Sequence, residues 1–176
     1  MIRGTSGPVD LTPKPVSASR VTLSIQMQVT DANIAGNVHG GTIMKLVDNA
    51  AGLAAAKHAG GYAVTAVMDE MSFLEPVYLS DVLTLKAAVN QAFNTSMEVG
   101  VRVEAESFVT GKTTHTSSAY LVFVAIDDNG TPRPVPPLIA ETDEEKQRQR
   151  EADLRREARL ARKQAIEGAR TPSGEF

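Results

Sequence analysis

The sequence has no cysteine and no tryptophan, and only 5% of its residues are aromatic. Without cysteine there is no disulfide framework, no thiolate nucleophile and no cysteine metal site, so any thiol chemistry must come from a substrate. The formal charge of -3 argues against a general nucleic-acid binder and leaves room only for a local basic patch that meets a phosphorylated ligand. No apolar run reaches membrane-spanning length, and the first residues lack the hydrophobic core of a signal peptide, so a cytoplasmic protein is expected. What is present, 176 residues of which 42% are hydrophobic, fits one globular domain with appendages.

The most informative stretch runs from Gly36 to Asp48, a glycine turn opening directly into an apolar helix that carries one carboxylate. Ile43, Met44, Leu46, Val47, Ala50, Ala51, Leu53 and Ala54 recur at helical spacing, which predicts a helix from about Gly41 to about His58, ended by Gly60-Gly61. Asp48 sits among Val47, Ala50 and Ala51, where an ionised side chain is costly to bury without a partner. The first-turn N–H groups of Gly40, Gly41 and Thr42, beside two residues without side chains, read as an anion or oxyanion site. Gly41 and Asp48 lie on one stripe but roughly 10 Å apart along the axis, too far to act on one carbonyl. If both serve one reaction, they come from two chains with neighbouring helices antiparallel.

Along the chain, residues 1–19, with Gly4, Gly7, Pro8, Pro13 and Pro15 among Ser and Thr, read as a flexible leader. Val21 to Val29 alternates apolar with polar as a half-buried strand does, and Asp31 to Asn37 reads as a loop. After the helix, four strands are expected at Tyr62–Phe73, Val82–Gln91, Ser96–Ser107 and Thr114–Ile126, with turns at Ala92–Thr95, Val109–Lys112 and Asp127–Gly130. Pro132, Pro134, Pro136 and Pro137 form an extended arm. From Glu141 to about Glu167 the chain is dense in charge, acids first and bases last, and its few apolar residues make no sustained seam. A solvated helix is the plain reading there and a partner-binding helix the sharper one. One long helix followed by an antiparallel meander is an α+β layer, the helix laid on a curved sheet.

Six segments carry a resemblance in the right order: Asn37-Val38-His39-Gly40-Gly41, Met44-Lys45-Leu46-Val47-Asp48, Val64-Thr65-Ala66, Phe73-Leu74-Glu75-Pro76, Thr95-Ser96-Met97-Glu98-Val99 and Val122 to Asp127. Over residues 20–138 the chain resembles the hotdog-fold acyl-CoA thioesterases, the cytosolic long-chain acyl-CoA hydrolase group with its bacterial single-domain relatives. The resemblance implies a hotdog domain at 20–138, followed by a charged helical tail at 139–176. It implies hydrolysis of fatty acyl-CoA to free acid and CoA, with no cofactor beyond the coenzyme A of the substrate and no metal. It also implies an active site at a homodimer interface, with tetramers or hexamers common in the family. On the family pattern Asn37 and Asp48 match the catalytic Asn and Asp, contributed by opposing domains. Asp48 acts as general base on water or attacks the carbonyl itself, and Asn37 orients water or thioester. Gly40 and Gly41 hold the oxyanion, Thr65 contacts Asp48 or the water, and Ser96 contacts the pantetheine or the carboxylate.

Each residue has a plainer role to set beside this. Asp48 could be a structural ion-pair partner of Lys45 or of a facing subunit, Asn37 could serve only the turn, and Thr65 and Ser96 could be strand-face residues. His39, grouped with the substrate-binding residues, reads first as a residue bonding the backbone at the glycine turn. Lys45, Lys57, Arg102 and Lys112 could meet CoA phosphates, although solvated lysines are the default. Two rival functions differ in class: a hotdog hydratase or dehydratase using His39 as base, and a non-hydrolytic acyl-CoA-binding module.

Overall fold

A computed structural model describes residues 9–169. Two short strands, β1 (Lys14–Pro15) and β7 (Leu138–Ile139), pair in parallel. The main sheet holds β2 (Val21–Gln26), β3 (Ala63–Phe73), β4 (Val82–Ala92), β5 (Ser96–Glu106) and β6 (Thr113–Ala125), in the order β2-β4-β5-β6-β3 with every pair antiparallel. The helix α1 (Gly40–Ala59) packs on one face of this sheet, and α2 (Asp143–Ala169) crosses the other. This is the α+β hotdog arrangement expected from the sequence.

The alternation in the strands decides which face α1 covers. Leu83, Leu85 and Val89 of β4, Met97, Val99 and Val103 of β5, and Leu121 and Phe123 of β6 are buried with Val47, Ala50, Ala51 and Ala54 of α1. The alanines let the helix approach the sheet closely, and fully burying a side chain such as Val47 contributes about 1.5–3 kcal/mol. The helix ends where Gly60 takes the left-handed conformation at φ 67° and its N–H reaches the carbonyl of Ala56.

Two expectations need correction. Of the leader expected to be flexible through residue 19, residues 1–8 lie outside the described residues, but Lys14–Ser19 is built into the fold. Val16 and Ser19 are buried, Lys14 N–H donates to the Pro137 carbonyl at 2.9 Å, and Ser19 Oγ accepts from Val89 N–H at 3.0 Å. Proline does not oppose this, because Pro15 stands in a two-residue strand where its missing donor costs little.

The charged helix is the second correction, since α2 is docked on its own sheet and not simply solvated. It starts with a reciprocal box in which Glu145 N–H donates to Thr142 Oγ1 while Glu145 Oε2 accepts from Thr142 N–H. Arg155 donates to both oxygens of the fully buried Glu98 and lies over the Tyr120 ring, 3.7 Å from its centre. Burial works against the Arg155 charge, yet Glu98 outweighs it and raises the guanidinium's pKa. Arg159 pairs with Asp69. A charge count along the helix cannot reveal that its partners are carboxylates on strands far away in sequence.

Candidate active site

Asp48 is half-buried on α1, and its Oδ1 accepts from the hydroxyl of Thr65 on β3 at 2.6 Å. Thr65 pairs with Phe123 on β6, which fixes it on the sheet face that α1 covers. The hydroxyl occupies one carboxylate oxygen and leaves Oδ2 for a water or a reacting carbonyl. The plainer partner proposed for Asp48, Lys45, makes no ion pair with it among the described residues.

At the glycine turn His39 bonds the backbone, as its plainer reading has it, whereas two of the three first-turn N–H groups expected to be free are taken. His39 is the N-cap of α1, and its Nδ1 accepts from Gly41 N–H at 2.9 Å, while its carbonyl accepts from Thr42 N–H. Gly41 allows this approach, since a Cβ there would stand 3.1 Å from His39 Nδ1. Gly41 and Thr42 are thus engaged within the chain, and Gly40 keeps the unclaimed first-turn N–H among the described residues. The cap uses the Nδ1 lone pair that a base would need, so the proton resides on Nε2.

A cleft of about 370 Å3 opens beside this turn, lined among others by Asn33, Asn37, Gly40, Phe73 and Val77. Asn33 is fixed in it: its Oδ1 accepts from Ala35 N–H at 2.8 Å and from Asn37 N–H at 3.2 Å. With the oxygen so held, the Nδ2 amide hydrogens are what Asn33 offers to the cleft. Asn37 is positioned by its backbone, which bridges to Tyr78 and whose carbonyl accepts from Asn33 N–H at 2.7 Å.

The structure therefore brings the predicted residues together in two groups. One holds Asp48 and Thr65, and the other holds Asn37, His39, Gly40 and Gly41 with Asn33 added. Asp48 does not line the cleft of its own chain. Ser96 joins neither group, because the next residue, Met97, faces α1 and so Ser96 points to the opposite face of the sheet. Two of the cations considered for phosphates are engaged elsewhere, Lys57 Nζ with the Arg20 carbonyl and Arg102 with Glu104. A larger groove of about 480 Å3 lies under α2, but none of the predicted residues except Arg102 lines it, and its Arg20, Lys86 and Arg102 are paired with Glu145 or Glu104.

A curved antiparallel sheet around a long helix, with a helix carboxylate and a glycine cleft at its margin, defines a hotdog thioesterase. The Thioesterase superfamily matches residues 35–112. An uncharacterized acyl-CoA thioester hydrolase of Bacillus subtilis is 37% identical over 72% of this chain and 74% of its own length. The cytosolic acyl coenzyme A thioester hydrolase of Mus musculus is 36% identical over 77% of this chain, which spans only 36% of that protein. Among solved structures, the acyl-CoA hydrolase of Staphylococcus aureus in complex with butyryl coenzyme A and coenzyme A has 38% identity and a TM-score of 0.80, over 88% of this chain and 96% of that one. A hexameric acyl-CoA thioesterase gives a TM-score of 0.83 at 36% identity, over 86% of this chain and 97% of that one. The chain belongs to the acyl-CoA thioester hydrolase family, enzymes that hydrolyse thioesters.

The Staphylococcus aureus enzyme has also been solved with alanine in place of an Asn, an Asp and a Thr, the Asn 15 residues before the Asp and the Thr 17 after it. Counted from Asp48, those separations fall on Asn33 and Thr65. Asn33 is the residue that sequence reasoning passed over as a loop position. Its sequence signal is weak, since Asn in the loop Asp31 to Asn37 reads first as a turn residue, and only the structure shows its amide oxygen held by the N–H groups of Ala35 and Asn37.

Proposed function

We propose that the chain hydrolyses fatty acyl-CoA at a site shared between two copies, each supplying the half that the other lacks. The observation that carries this is the placement of the two groups at opposite ends of one edge strand. Thr65, with Asp48, stands near the start of β3, and Phe73, at the cleft, stands at its end, roughly 26 Å away at about 3.3 Å per residue. β3 is an edge of the sheet, with Val64, Phe73, Leu74 and Tyr78 exposed along or beside it. An exposed apolar edge invites pairing with a second copy. Antiparallel pairing of β3 with its counterpart lays the start of one strand beside the end of the other, and so brings Asp48 to the partner's cleft.

In that arrangement Asp48 takes a proton from a water through Oδ2 while Thr65 steadies Oδ1. The water attacks the thioester carbonyl, and the developing oxyanion meets the partner's Gly40 N–H and Asn33 Nδ2. The tetrahedral centre collapses, the C–S bond breaks and the departing sulfur takes the proton held by Asp48, leaving the free acid, CoA thiol and an ionised Asp48. Asn33 takes the amide role that the Asn37 motif suggests, and His39 acts by capping the helix that presents Gly40. Ser96 has no part in this half of the reading. Higher assemblies of such dimers agree with the hexameric relatives, and a cytoplasmic setting agrees with the name of the mouse enzyme.

Release of free thiol from acyl-CoAs of increasing chain length tests the reading. The parent chain is expected to turn over and Asp48→Asn to lose at least about a thousandfold in kcat. An Asn variant as active as the parent overturns it.

A further inference from the structure

α2 crosses the sheet in strand order. Glu145 pairs with Arg20 beside β2, Gln149 and Asp153 bond Gln91 of β4, Arg155 holds Glu98 of β5 and covers Tyr120 of β6, and Arg159 and Arg162 meet Asp69 of β3. From Glu145 to Arg159 the helix rises about 21 Å, and five strands span about 19 Å. The helix thus reaches the β3 edge at Arg159 with Leu160–Ala169 still to come, about 15 Å of helix or three strand spacings. Every residue from Leu160 to Ala169 is exposed.

The overhang keeps the phase of the docked part. Arg155, Arg159, Arg162 and Ile166 follow one another at intervals of four, three and four residues, a single stripe, and the stripe that faces the sheet. Past the edge it continues with an apolar side chain, Ile166, half exposed and with none of its own sheet beneath. The solvent-side stripe carries Arg150, Leu154 and Glu157, with Leu154 lying over the span that the sheet already holds and not past its edge.

We infer that α2 is a strap between subunits, its residues 162–169 lying on the outer sheet face of a second copy beside that copy's own α2. This rests on the β3 pairing proposed above. That pairing places Thr65 opposite the partner's Phe73 and so centres the two-fold axis near Asp69, the point where α2 leaves the edge. The edges alone would oppose acid to acid there, Asp69 and Glu70 against their counterparts, which is unfavourable across a strand pair. The straps bring Arg159 and Arg162 from each copy to the same place, while Lys163 is paired with Glu167 of its own helix, so the charges complement. Two antiparallel helices at the usual separation of about 8–10 Å can pass side by side over the axis, each within an arginine's reach of an Asp69.

The test uses the full chain in two measurements, the dimer dissociation constant by sedimentation on dilution and hydrogen exchange of residues 160–169. Ile166→Asp is expected to raise the constant at least tenfold, whereas Leu154→Asp, the same change on the solvent side of the same helix, leaves it within twofold. In the parent, the 160–169 amides are expected to be protected and to lose protection on dilution to monomer. A dimer whose constant is unmoved by Ile166→Asp overturns the strap and leaves the shared site standing, as does unprotected exchange in 160–169, or loss only of assemblies larger than a dimer. A parent that stays monomeric at all concentrations overturns both.

Discussion

Replacing Arg155 by Ala strips the buried Glu98 of its counter-charge and tests whether α2 belongs to the domain. Glu98 is 1% exposed and Arg155 18%, joined by contacts of 2.7 and 3.1 Å that span both carboxylate oxygens. Among the described residues the carboxylate then keeps only the Asn90 amide at 3.1 Å. Breaking a buried pair costs about 3–5 kcal/mol, because the surviving charge stays desolvated. The partial exposure of Arg155 places this case near the lower end, at about 3 kcal/mol. An ion pair on a merely solvated helix is worth about 0–1 kcal/mol, so the two views separate clearly. The assay is urea unfolding at fixed protein concentration, with the slope compared between variants to confirm that the transition is the same. Arg155→Met with Glu98→Leu removes both charges and should recover most of the loss. A loss below about 1 kcal/mol for Arg155→Ala alone would refute the docked helix.

Two further perturbations follow. Thr65→Val keeps the strand-face volume but removes the 2.6 Å bond to Asp48, and a hydrogen bond to a charged group is worth about 1.5–3 kcal/mol. Steady-state thiol release should therefore fall in kcat by roughly tenfold to a hundredfold with KM little changed, and a kcat within twofold of the parent would remove Thr65 from the site. His58 is fully buried, its Nε2 donates to the Pro136 carbonyl at 2.8 Å, and its Nδ1 has no partner among the described residues. Burial, the largest influence, holds its pKa below the ordinary value, with Lys14 acting in the same sense and the Pro136 bond against it. The folded state thus keeps His58 neutral while the unfolded chain binds a proton as pH falls through about 6.5. Stability from this group is complete above that pH and declines below it, by up to about 1.4 kcal/mol per pH unit. Urea unfolding of the parent and His58→Gln between pH 7 and 5 should show the parent's extra slope, and parallel curves would contradict the assignment.

The main sheet and α1 were legible because each carries an uninterrupted period. Met97, Val99, Val101, Val103 and Ala105 alternate through β5, and the α1 helix begins and ends at its glycines within a residue of expectation. Asp48 and Thr65 were legible as candidate site residues through the motif around them, and the structure adds a direct bond between them, with Thr65 on the sheet face that α1 covers. The docking of α2 was hidden because its anchors, Glu98 and Asp69, read locally as ordinary polar residues of alternating strands. β1 and β7 were hidden for a related reason: two-residue strands have no period, and only the meeting of Lys14 with Pro137 reveals them. Asn33, which the proposed site adds, was hidden behind Asn37, which sits closer to the glycine pair and whose backbone the turn fixes.

The claim on which the account turns is that carboxylate and cleft belong to different copies of the chain. Asp48→Asn and Asn33→Ala, each inactive alone, can be unfolded together in equal amounts and refolded. Half of the dimers are then mixed, and each mixed dimer holds one intact site, so thiol release should return to about a quarter of the parent's rate. If both residues act within one chain, the mixture stays as inactive as its components, and the shared site is wrong.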